Sequence, residues 1–270
     1  MDHDLVRTMH RRARRKRVHK LCKVALAVVV IIAAKWIAHA AGWEPLHINP
    51  LFTSLVASTV FLLGFLLNGV LSDFKESEKL PGELATSLEV LTLEVLAVPA
   101  YNPDASPAGS ARAIAELAES ITAWLLLKLT VADLLARYHA CHARVVEVAT
   151  DLPDSTLKGR LMGEMATILR VINRIETIRE TSFVPLVYWL AYAGTGLLTV
   201  GLVLMQEPSL PEQVFFIAVI SFLLIFLIRL IGDIDNPFGY ADPDSAEDIS
   251  FDVLVNTIGR LRALSPGSGR

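Results

Sequence analysis

The sequence predicts an all-α membrane protein, with four transmembrane helices plus a helical cytoplasmic domain. Three observations predict it. The 270 residues are 53% hydrophobic, and the apolar residues gather in blocks instead of spreading along the chain. Four of these blocks approach the ~20 residues that carry a helix across ~30 Å of hydrocarbon. Outside those blocks, Lys and Arg are missing from the two short loops at 42–50 and 206–213 and crowd into the remaining segments. Such asymmetry places both termini and the long middle insert on the cytoplasmic side. The net charge of −3 says little, because a basic start offsets an acidic end. Two cysteines, Cys22 and Cys141, supply no disulfide framework, and both fall on the side expected to be reducing.

Residues 1–20 form a basic N-terminal segment with Arg11, Arg12, Arg14, Arg15, Lys16, Arg17 and Lys20. Such a run can bind nucleic acid, but directly before an apolar block it marks a cytoplasmic flank on anionic membrane lipid. No nucleic-acid partner is expected. Residues 21–71 carry the first two spans. In the first, at 21–41, Lys23 is expected to snorkel at one end, and Lys35 beside Trp36 at the other. Ala38-His39-Ala40 resembles a small-x-small signal-peptide cleavage site, yet the apolar stretch is long and Lys35 interrupts it, so a retained helix is the better reading. The second span, 51–71, has no charge, and the chain turns polar directly after it at Asp73, Lys75, Glu76, Glu78 and Lys79.

Residues 72–183 read as the helical cytoplasmic domain. A helix is expected over 87–98, a Pro- and Gly-containing loop over 101–110, and one helical stretch over 111–150. Lys128 and Asp133 break the apolar run around Trp124, so that stretch is a buried helix and not a span. After a turn at 151–154, Ser155 is expected to cap a helix reaching about residue 180. Strand signals are nearly absent. Spans three and four occupy 184–232: a charge-free block at 184–205 with Pro185 in its first turn, and a block at 214–231 that carries Arg229 near its end. Residues 233–262 hold an acidic turn and an amphipathic helix near 251–261, and 263–270 read as a disordered tail.

Chemistry is sought in three places. Ser54, Ala57, Phe61, Phe65, Asn68 and Ser72 share one stripe of the second span, at steps of three and four. An amide in hydrocarbon must find water or a partner, so Asn68 points to a pore lining; the competing reading packs the small residues on a neighbouring helix and turns the phenylalanines to lipid. His139 and His142, with Cys141 between them, share a helix face, but no further Cys or His cluster completes a metal site. The carboxylates from Asp233 to Asp248 suit calcium by type, with Asp242, Asp244 and Asp248 as the possible cation site, or else form a solvated turn that caps the last helix. There is no phosphate-cradling Gly-rich loop, HExxH, GxSxG or CxxC. No enzyme activity, bound metal or cofactor is expected.

Three separated stretches resemble the bestrophin family of pentameric ion channels. Phe61-Leu62-Leu63-Gly64-Phe65 looks like the pore-neck segment of the family. Arg174-Ile175 onward to Pro185-Leu186-Val187-Tyr188 resembles the entry to its third span. Asp235-Asn236-Pro237-Phe238-Gly239, followed by Asp242, Asp244 and Asp248, is similar to the turn after its last span. The resemblance runs from about residue 20 to 262 and is nearest to prokaryotic members, which implies a bacterial inner membrane. It implies a homopentamer whose neck is lined by Ala57, Phe61 and Phe65, with Asn68 and Asp73 at the inner mouth and Leu157 as a guess for a second constriction. It further implies passive conduction of chloride or other small anions. The family's Arg-Trp-Trp-like run after the neck helix reads Asp73-Phe74-Lys75 here, so a monovalent-cation channel is the alternative. Tyr240 and Ala241 replace acidic residues of the calcium clasp of animal members, and calcium gating is not expected. A non-conducting scaffold that recruits a cytoplasmic partner is the rival from another class.

Overall fold

The computed structural model describes residues 3–47, 49–150, 152–181, 185–206, 209–239 and 249–264, with only the backbone described for 3–17. Among the described residues the chain is almost wholly helical. The helices are α1 (His3–Ala40), α2 (Pro50–Ser77), α3 (Leu80–Ala97), α4 (Ala108–Leu125), α5 (Val131–Thr150), α6 (Ser155–Glu180), α7 (Pro185–Leu204), α8 (Leu210–Ile234) and α9 (Asp252–Leu264). A 3-10 turn, Val98–Ala100, follows α3. Two short strands, β1 (Leu46–His47) and β2 (Met205–Gln206), pair in parallel, Leu46 opposite Met205. They join the two loops at one end of the bundle, which the helical pattern of the sequence does not announce.

Among the described residues, four helical stretches are long and apolar enough to cross a membrane: Val18–Ala40 in α1, Pro50–Ala100 beginning with α2, Pro185–Leu204 (α7) and Leu210–Ile234 (α8). Their shared core contains Leu63, Leu66 and Val70 of α2, Leu198 of α7, and Ile217, Leu224 and Ile231 of α8. Close approach has a local cause. At Gly201 of α7 an added Cβ would stand 3.0 Å from the Phe52 ring of α2, so a side chain there would need that ring to give by a few tenths of an ångström. The basic start of the chain continues the first span as one helix from His3. That helix ends at Gly42, whose φ of 67° is open to glycine. Gly42 N–H donates to the His39 carbonyl at 3.1 Å and Trp43 N–H to the Ala38 carbonyl at 2.9 Å; this pair of bonds closes a helix with a left-handed residue.

The insert folds as a second helical cluster. Leu84, Leu88 and Leu91 of α3 meet Ile114, Ile121 and Trp124 of α4, Ile168 and Ile172 of α6, and Leu254 and Leu261 of α9. Phe74, three residues past the apolar end of the second span, packs on both cores. Tyr138 of α5 donates its hydroxyl hydrogen to the Met165 carbonyl of α6 at 2.9 Å. Ion pairs lace the outside of the cluster: Arg260 holds Glu89 through two bonds of 3.0 and 2.7 Å, and Arg262 reaches Glu119 at 2.7 Å.

Several expectations are corrected. α2 runs on past the expected span, through Ser77, and α3 starts at Leu80 instead of residue 87. The stretch 111–150 is two helices. Leu127 sits at φ 57°, with Leu127 N–H donating to the Trp124 carbonyl at 2.9 Å and Lys128 N–H to the Ala123 carbonyl at 2.8 Å. This repeats the bonding found at Gly42, with a leucine in the left-handed position. Asp154, not Ser155, caps α6, accepting from Thr156 N–H at 2.8 Å.

The largest correction concerns Lys35. It does not snorkel to the interface: it is fully buried. Its ammonium donates to Glu44 Oε1 at 2.5 Å, to the Met205 carbonyl at 2.6 Å and to the Val203 carbonyl at 3.2 Å. Gln213 of α8 also donates to the Met205 carbonyl. His39 Nδ1 lies 3.1 Å from both Glu44 oxygens. A buried cation thus ties α1, the first loop, the end of α7 and, through a shared carbonyl, α8.

Candidate functional site

The site is one face of α2. Asn49 opens the helix, accepting from Phe52 N–H at 2.9 Å, and Pro50 occupies its first turn. Thr59, Leu63, Leu66 and Val70 fall on the buried face, turned to the rest of the chain. An α-helix turns about 100° per residue, so the opposite face carries Ala57, Phe61, Phe65 and Asn68. All four are exposed, as are Ser54 and Ser72. Phe61 and Phe65 are 77% and 62% exposed. The stripe is therefore unbroken on the surface of a single chain. The small residues do not pack on another helix of the same chain.

Geometry along the stripe is regular. Ala57, Phe61 and Phe65 rise in steps of about 6 Å, and Asn68 follows about 5 Å further on. The Ser54 hydroxyl donates to the Pro50 carbonyl at 2.8 Å, which satisfies that polar group within the helix. Beyond Asn68 the chain stays helical to Ser77, and this decides where the charges point. Asp73 is five residues after Asn68 and so turned by about 140° from it. Lys75 is eighteen residues after Ala57, about five whole turns, and returns to the same side. Lys75 and Asp73 are both exposed. Asp73 lies on the side of α6, where Glu76 chiefly, and Asp73 in addition, favour the cationic form of Arg174. That guanidinium makes a two-pronged pair with Glu76, at 2.9 and 2.8 Å. The stripe expected from the sequence omits Lys75, although the eighteen-residue spacing points to it.

The remaining expected residues scatter. Leu157 stands in the first turn of α6, half-buried on the insert core and far in sequence from the α2 stripe. Asn236, Pro237, Phe238 and Gly239 form a turn after α8, with Gly239 N–H donating to the Asn236 carbonyl at 3.2 Å. Phe238 is 2% exposed within the insert core, and Ile249 N–H donates to the Pro237 carbonyl at 3.0 Å. The turn thus fastens the last span to the insert. Asp242, Asp244 and Asp248 lie outside the described residues. His139 and His142 contact the Tyr138 ring, at centroid distances of 5.7 and 6.2 Å. Among the described residues no group of three or more His, Cys, Asp or Glu side chains could hold a metal. Cys141 is buried, and desolvation pushes its thiol up to about 12.

No protein-family model and no curated protein matches the sequence. Solved structures do match. A bacterial bestrophin homologue from Klebsiella pneumoniae superposes with a TM-score of 0.69 at 16% identity, covering 92% of this chain and 98% of that one. A variant of that homologue gives a TM-score of 0.73 at 18% identity, over 92% and 97%. A further structure, described only as a membrane protein variant, gives 0.70 at 16%, over 92% and 98%. Coverage is nearly complete on both sides, and the fold of this chain is bestrophin-like.

Proposed function

We propose that the chain forms a homopentameric channel, embedded in a bacterial inner membrane with both termini cytoplasmic, that passively conducts chloride or other small anions. The observation that carries this reading is the exposed α2 stripe of Ala57, Phe61 and Phe65, turned away from its own chain in a bestrophin-like fold. Five copies around an axis would set two phenylalanine rings, one above the other, as a neck. A hydrophobic constriction gates by dewetting and favours ions that shed water readily. Aromatic edges carry positive partial charge and stabilise a partly dehydrated anion without a fixed cation in the neck. Asn68 below the neck offers an amide donor. Lys75 then extends the same side towards the inner mouth, while Asp73 stands near Arg174. This arrangement favours anions over the monovalent-cation alternative. Single-channel recording in planar bilayers under a KCl gradient tests the reading, with Phe61→Ala plus Phe65→Ala beside the unaltered chain. The expected result is an anion reversal potential and a double variant with altered current or gating. A folded pentamer that is silent in both forms would instead support a scaffold that recruits a partner.

A further inference from the structure

Past the phenylalanines the α2 stripe runs into charge. At about 100° per residue, Ala57, Phe61, Phe65, Asn68 and Ser72 span an arc of about 80° around the helix. Lys75 falls on one edge of that arc, about 10 Å past Asn68. The backbone keeps right-handed helical dihedrals at Glu78 and Lys79, so α2 passes into α3 almost without a break. Lys79 therefore falls inside the same arc, about 6 Å beyond Lys75. Both lysines are exposed. Among the described residues neither makes a hydrogen bond or a salt bridge.

Most neighbouring carboxylates point elsewhere or are already held. Asp73 is turned by about 160° from Lys75, and Glu78 stands about 60° outside the arc. Glu76 lies about 20° outside the other edge, where Arg174 holds it at 2.9 and 2.8 Å. Arg174 is the chief cause of its lowered pKa and Lys79 the least. Glu83, one turn past Lys79, is exposed and does face the arc. It sits in the first turn of α3, whose positive helix end partly offsets its charge. The arc thus carries two cations against one carboxylate, and both cations have free donors.

We propose that Lys75 and Lys79, gathered around the axis of the pentamer, bind a soluble polyvalent phosphate anion that blocks the neck from the cytoplasmic side. This rests on the pentameric channel proposed above. Five copies would set two rings of ammonium groups about 6 Å apart along the axis, a spacing that lets one short polyphosphate chain touch both. Ammonium groups donate to phosphate oxygens as point charges and need no fixed plane. Chloride drawn to the rings moves on, because a hydrophobic neck passes an ion that sheds its water readily. A polyphosphate is too strongly hydrated to follow, and it stays on the lysines. The rings then select by charge and the phenylalanines by hydration.

The test is isothermal titration of sodium tripolyphosphate into the detergent-solubilised full chain. Binding of about one anion per five chains is expected for a site on the symmetry axis. Lys75→Gln plus Lys79→Gln should weaken it by about tenfold or more, the worth of one lost hydrogen bond to a charged group. Lys75→Arg plus Lys79→Arg should keep it. Glu83→Gln, which removes the opposing charge, should tighten binding by about threefold, a gain that misfolding does not produce. Unchanged affinity in the glutamine double variant would overturn the site, as would one anion per chain. An equal loss in Arg14→Gln plus Arg15→Gln would overturn it in favour of the basic N-terminal segment. Chloride current in planar bilayers separates this proposal from conduction itself. A current that millimolar tripolyphosphate leaves untouched overturns the block and keeps the channel. Lysine-dependent binding to a pentamer that carries no current keeps the site and overturns the channel.

Discussion

Replacing Glu44 by alanine should be the most damaging single change at the loop end of the bundle. Lys35 is fully buried and the Glu44 side chain only 9% exposed, so their contact at 2.5 Å is made almost without water. Removing one partner of a buried pair typically costs about 3–5 kcal/mol, because the other charge stays buried without compensation. Here the Met205 and Val203 carbonyls remain on the ammonium, at 2.6 and 3.2 Å. The lower end, about 3 kcal/mol, is therefore expected. For a chain of this size it amounts to a fall of roughly 6–10 °C in the thermal midpoint, read by intrinsic fluorescence in detergent. Lys35→Met with Glu44→Ala, which removes both charges, should recover more than half of the loss. A midpoint for Glu44→Ala within about 2 °C of the unaltered chain would refute the reasoning, since it would mean that water already screens the pair. The pair would then contribute no more than a surface one.

Leu127 occupies a left-handed position at the end of α4 with its side chain 55% exposed, so Leu127→Gly should raise the thermal midpoint slightly, by the relief of about 0.5–1 kcal/mol of backbone strain net of glycine entropy; a fall would show that the side chain's packing outweighs the strain. Gly201→Ala should lower it, because a Cβ 3.0 Å from the Phe52 ring presses on that side chain, at a cost of about 1–2 kcal/mol; an unchanged midpoint would show that the ring gives way without cost. Cys141 should resist maleimide in the folded chain and react once the chain is unfolded in urea, measured by mass after brief labelling at neutral pH. Burial raises the folded thiol from 9.0 to about 12, so its contribution to stability is complete below pH 9 and is lost as pH climbs to 12. The slope across that window should be about 1.4 kcal/mol per pH unit, seen in urea midpoints.

Apolar periodicity brings the spans and most of the insert into view, because a chain must hide its backbone polar groups from lipid and only a helix of about 20 apolar residues does so by itself. Gly42 marks the end of α1 for a similar local reason: glycine alone takes a left-handed φ without cost. The stripe of Ala57, Phe61, Phe65 and Asn68 is legible too, since its 3.6-residue rhythm is a property of the helix and needs no neighbour. Where local preference and tertiary demand disagree, the sequence misleads. The break after α4 is invisible in it because a leucine fills the position that glycine announces elsewhere. Lys35 reads as a snorkelling lysine because nothing local reveals that Glu44 and two carbonyls from residues 203 and 205, far along the chain, converge on it. The side on which Lys75 and Asp73 fall depends on α2 staying unbroken to Ser77, which the polar residues after 71 argue against. Helices and their faces are short-range consequences of residue order; the partner of a buried charge, and the point where a helix ends, belong to the packed whole.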